Sequence, residues 1–63
     1  MKLKEKRQLS DDTFLFELDD GRRLTVRCIR DENGELIPWE FTSFDMSEEE
    51  ATRIGLKIFN KFF

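Results

Sequence analysis

The sequence predicts an α+β fold: a three-stranded antiparallel meander, four-stranded if residues 1–9 add an edge strand, with one C-terminal helix packed on one face. Three observations carry this expectation. Residues 22–30, Arg-Arg-Leu-Thr-Val-Arg-Cys-Ile-Arg, alternate polar and apolar for most of their length, the period of a strand with one buried face. Turn signals bracket that stretch, Asp19-Asp20-Gly21 before it and Asn33-Gly34 after it. From Ser47 to about Phe62 the apolar spacing changes to that of a helix.

Along the chain, residues 1–9 are strongly basic, with Leu3 and Leu9 as their large apolar side chains. They read either as a frayed terminus or as an edge strand whose lysines discourage edge-to-edge pairing. Residues 13–18 form a strand with Phe14, Phe16 and Leu18 on one face and Thr13, Leu15 and Glu17 on the other. Register selects the loop that follows. A three-residue Asp19-Asp20-Gly21 loop, with glycine in the left-handed bulge position, pairs Phe16 with Leu24 and Phe14 with Val26. It also sets Glu17 opposite Arg23. A two-residue loop would mix the faces.

For the second hairpin, a two-residue Asn33-Gly34 turn pairs Cys28 with Trp39, Val26 with Phe41, Arg27 with Glu40 and Thr25 with Thr42. That register leaves Glu32 facing Glu35 and puts Pro38 on the outer face. Pro38 has no N–H for a ladder, so its strand is expected at a sheet edge.

Ser47 followed by Glu50 is a capping box, and three glutamates meet the positive end of the helix dipole. At 100° per residue, Ala51, Ile54, Gly55, Ile58 and Phe62 share one face, with Phe59 at its margin. This face should cover Phe14, Phe16, Leu24, Val26, Trp39 and Phe41. A glycine on the buried stripe costs the helix about 1 kcal/mol relative to alanine, which implies that a bulky side chain needs the space. Trp39 is the expected neighbour.

Composition narrows the function. The 63 residues make one small domain, near the lower limit for folding without a metal, disulfide or partner. Seven Phe and one Trp supply the large buried areas such a chain needs. A net charge of −3 argues against non-specific binding to nucleic acid or membrane surfaces. One Cys and no His leave no disulfide framework and no His-based metal or acid–base site. No apolar run approaches the ~20 residues of a membrane span, and no apolar segment follows the basic start as in a signal peptide. The expected compartment is the cytoplasm.

Each candidate site has a plainer reading beside it. Cys28 is the one soft nucleophile, but it is expected to point inward without a base, as an inert core thiol. The pairs Asp11-Asp12, Asp19-Asp20 and Asp31-Glu32 sit in turns, where acidic side chains hydrogen-bond locally, and none has calcium-loop spacing. No catalytic, cofactor-binding or metal-binding residue is expected, and hence no enzyme. Arg7, Arg23, Arg27 and Arg30 form a conceivable nucleic-acid face, although Glu17 and Glu40 are placed to neutralise Arg23 and Arg27. On the helix, Leu56 and Phe63 widen the apolar arc beyond what one sheet face covers. Together with Phe59 they are the expected interface. The expected function is therefore a non-catalytic protein-interaction module, such as a regulator, inhibitor or accessory subunit, acting as a homodimer. The alternative is a nucleic-acid binder that uses the arginine face and the basic N-terminus.

Overall fold

A computed structural model of the chain describes residues 2–62. Strands β1 (Leu3–Gln8), β2 (Thr13–Leu18), β3 (Arg23–Arg30) and β4 (Leu36–Thr42) form one antiparallel sheet in chain order, and helix α1 (Glu48–Phe62) covers one face. The basic N-terminus is thus an edge strand, and β4, with Pro38, is the other edge.

β1 carries a bulge at Lys4, between the pairs Leu3–Leu18 and Glu5–Glu17. The second pair sets two carboxylates face to face. The bulged Lys4 offsets this, with Nζ 3.8 Å from Glu17 Oε2, and Arg7 lies 3.4 Å from Glu5.

The first hairpin has the expected register: Phe14 opposite Val26, Leu15 opposite Thr25, Phe16 opposite Leu24, Glu17 opposite Arg23. Its loop closes with Leu18 N–H donating to Arg22 O at 2.8 Å and Gly21 N–H donating to Leu18 O at 3.0 Å. Gly21 has φ 92°, the left-handed conformation for which the bulge position selects glycine.

The second hairpin corrects an expectation. It uses the same three-residue loop as the first, not a two-residue turn. Asp31 N–H donates to Glu35 O at 2.9 Å, Gly34 N–H donates to Asp31 O at 3.0 Å, and Gly34 has φ 80°. The Asp31 carboxylate also accepts the N–H groups of Asn33 and Glu35, which locks the loop and separates Glu32 from Glu35 as a facing pair. One residue must then be absorbed further along. The pairs Thr25–Thr42, Val26–Phe41 and Arg27–Glu40 stand as expected, but Cys28 faces Pro38, Ile29 faces Ile37 and Arg30 faces Leu36. Trp39 is the extra residue of the bulge.

The core lies between the helix and the inner sheet face. It contains Phe14, Phe16, Leu18, Leu24, Val26, Cys28 and Phe41 from the sheet and Ala51, Ile54, Ile58 and Phe59 from the helix. Met46 joins them. Met46 and Ala51 occupy the N′ and N4 positions of a hydrophobic staple around the cap residue Ser47. Ser47 Oγ accepts the Glu50 N–H at 3.2 Å. The Glu50 carboxylate turns instead to Arg22, at 3.3 Å, and so ties the first helical turn to the start of β3.

Candidate interaction surface

The bulge creates the most prominent surface feature. In an unbroken ladder Trp39 would face inward opposite Cys28. Here it is 63% exposed. Cys28 donates its N–H away from β4, to Asp12 O at 2.7 Å, so Pro38 opposite it stands at a position that needs no ladder bond. The absent proline N–H falls on the open edge. Trp39 therefore stands on an edge that is a poor template for adding a strand.

A seam runs between β4 and α1, lined by Pro38, Trp39, Glu40, Phe41, Glu48, Thr52 and Leu56. Phe41 forms its buried side, and Leu56 is 39% exposed on the helix flank. The seam's charged lining residues are both glutamates. Glu40 has one cation near it, Arg27 at 3.5 Å, in a pair that is half exposed at both ends and so contributes little.

The three expected interface residues separate. Leu56 is on the surface as expected. Phe59 is 6% exposed and belongs to the core, because α1 packs chiefly against β4, on the side of the helix where this margin residue lies. Phe63 lies outside the described residues. Two further aromatics are exposed. Phe62, expected on the core stripe, is 45% exposed at the end of the helix, beside Lys2 and Leu3 across a shallow cleft. Phe44 is fully exposed in the β4–α1 loop. That loop is tightly held: Ser43 Oγ donates to Arg23 O at 2.5 Å, Asp45 N–H to Ser43 Oγ at 3.0 Å, and Arg23 N–H to Asp45 Oδ2 at 3.1 Å.

The arginines of the alternative face do not converge. Arg7 pairs with Glu5 and Arg27 with Glu40, while Arg30 donates to Gly34 O at 2.7 Å beside the second loop. Arg23 stands at the far end of β3, next to the Phe44 loop. Burial pushes the Cys28 thiol above its usual range, the nearby Asp12 charge adds to this, and Arg30 only partly opposes it. The thiolate that a nucleophile requires is thereby disfavoured. Among the described residues no group of three His, Cys, Asp or Glu side chains is placed to hold a metal ion. Among the described residues no helix is long and apolar enough to cross a membrane.

One cue in the sequence pointed to Trp39. Both loops have the form acid, polar residue, glycine, and the Glu32–Glu35 conflict marked the two-residue turn as the poorer choice. Applying the first hairpin's rule to the second places a register change before Phe41. Nothing local marked Phe44.

Comparison of the chain with protein-family models, with curated protein sequences and with solved structures finds no match in any of the three.

Proposed function

We propose that this protein is a non-catalytic protein-interaction module that docks through the β4–α1 seam, with Trp39 and Leu56 as its anchors. One observation carries the reading: the bulge that turns a tryptophan out of a core it would otherwise join. Burying a large aromatic side chain contributes about 1.5–3 kcal/mol, a substantial share of the stability of so short a chain. Bulges re-aim side chains at functional positions, and tryptophan is the residue type most enriched among interface anchors. Pro38 keeps the edge from recruiting strands, so contact falls to side chains in the seam. Phosphate binding by the sheet is the weaker reading, since its four arginines do not converge on one spot.

Affinity capture tests this with wild type, Trp39→Ala and Leu56→Glu immobilised side by side. The reading expects a polypeptide other than this chain to be retained by wild type and lost from both variants at unchanged fold. Equal retention by all three, or retention that disappears with added salt but not with either variant, would overturn it.

A further inference from the structure

We infer that copies of this chain associate head to tail. The basic apolar patch at the C-terminal end of α1 in one copy docks on the acidic β4–α1 seam of the next. The inference rests on the reading of the seam as an interaction surface and specifies its occupant.

The patch is a cleft lined by Lys2, Leu3, Lys57, Ile58, Lys61 and Phe62. All its charged lining residues are lysines. Among the described residues no ion pair joins Lys2, Lys57 or Lys61 to a carboxylate. Its exposed anchor is Phe62, with Lys61 Nζ 5.5 Å above the ring. The seam has the opposite character: Glu40 and Glu48 line it, and Trp39 and Leu56 are its anchors. Each surface thus offers an exposed apolar group within a rim of one sign, and the two signs are opposite.

Their placement decides the symmetry. At about 100° per residue, Leu56 and Lys61 stand about 140° apart around the helix, so seam and patch lie on opposite flanks of α1. A two-fold axis through either one would set like charges together, Glu48 near its own copy or three lysines against three, and like charges at a contact are penalised. A repeated operation that sets patch on seam instead joins unlike charges and covers Trp39, Leu56 and Phe62 together. Contacts between two different surfaces close into rings or continue as filaments; they do not stop at a dimer by symmetry. The sequence-based expectation of a two-fold dimer through Leu56 is replaced by this arrangement.

The test uses two variants and their mixture. Leu56→Glu places a charge in the seam and leaves the patch intact. Lys57→Glu/Lys61→Glu inverts the patch and leaves the seam intact. All three substituted side chains are exposed, and circular dichroism checks that both variants fold. In sedimentation velocity, wild-type mass should rise with concentration past that of two chains. Raising the salt from low to about 0.5 M should weaken association by about tenfold or more. Each variant alone should be monomeric up to about 100 μM, with affinity lowered roughly 30-fold, as for a central anchor. Mixed in equal amounts, the two variants should form a one-to-one complex of twice 7.6 kDa, because one intact seam meets one intact patch.

A mixture that stays monomeric while wild type associates overturns the head-to-tail arrangement, as does wild type that stops at a dimer. Wild type that is monomeric throughout also overturns it. Capture of a different protein that is sensitive to Leu56→Glu would then leave the seam as an interaction surface; absence of any such capture would remove both readings.

Discussion

Gly55 lies directly against the ring of Phe41: a Cβ built on Gly55 would fall 2.5 Å from Phe41 Cε1 and closer still to Cδ1. This is the closest approach of α1 to the sheet that the glycines report, and it explains a residue that helix propensity disfavours. The phenyl ring of β4, not the expected Trp39 indole, occupies the space, because the bulge removes Trp39 from the inner face and leaves Phe41 there.

Gly55→Ala should therefore destabilise the protein although alanine is the better helix former. The propensity gain is about 1 kcal/mol, and forcing a methyl group into a buried ring costs about 1–3 kcal/mol. Gly55→Leu should prevent compact folding. Urea melts decide: an alanine variant with a higher midpoint at unchanged slope would show that the helix can lift off Phe41 at no cost.

Ser47→Ala should lower stability by about 1 kcal/mol, through loss of the bond that its Oγ accepts from the Glu50 N–H. The other half of the capping box contributes nothing here, since the Glu50 carboxylate lies on Arg22. Arg22→Ala should accordingly be destabilising as well, and combining it with Glu50→Ala should cost less than the sum of the two single changes. Strict additivity in that cycle would remove the coupling.

Acid should unfold the protein partly through two loop carboxylates. The Ser10 hydroxyl, and then the Thr13 hydroxyl, hold the Asp12 carboxyl below its usual value, and the Arg22 N–H chiefly does so for Asp20. A carboxyl whose folded pKa lies below its unfolded one binds fewer protons when folded. Its stabilising contribution is present above the unfolded value of about 3.9 and is lost as the pH falls through the folded value. Thermal melts from pH 6 down to about pH 2.5 should fall more steeply for wild type than for Asp12→Asn/Asp20→Asn, which accepts the same bonds without titrating. Parallel curves would rule out these two groups as the source.

The elements were legible because each rests on a signal that burial enforces. The inner residues Phe14, Phe16, Leu24 and Val26 alternate without a break, and a one-residue slip would expose all of them, so the first hairpin had one solution. The helix was equally plain from its cap and its Ala51, Ile54, Ile58 spacing. The surface was harder to read. Exposure of Trp39 depends on where a bulge absorbs one residue, and the alternation of β4 suits either register: Val26–Phe41 holds in both, and only the partners from Cys28 onward change. Phe59 and Phe62 exchanged places relative to expectation: α1 packs chiefly against β4, which covers the margin residue Phe59, whereas Phe62 stands at the end of the helix and is exposed although it lies on the stripe. Periodicity gives the direction of that stripe only to within about one residue.

The bulge itself makes the last prediction. With Trp39 extruded and Phe41 retained, the two neighbouring aromatics of β4 should differ sharply on truncation. Phe41 is 4% exposed and faces Gly55, so Phe41→Ala should cost about 3–5 kcal/mol and leave the protein largely unfolded. Trp39→Ala removes a larger side chain, yet it should cost less than about 1 kcal/mol at low protein concentration, where no partner covers the seam. The native Trp39 fluorescence should accordingly be that of a water-exposed indole and be quenched by iodide almost as strongly as in the urea-unfolded chain. A regular ladder through Cys28 and Trp39 would reverse each of these results: Trp39→Ala would be as damaging as Phe41→Ala, and iodide would not reach the native indole.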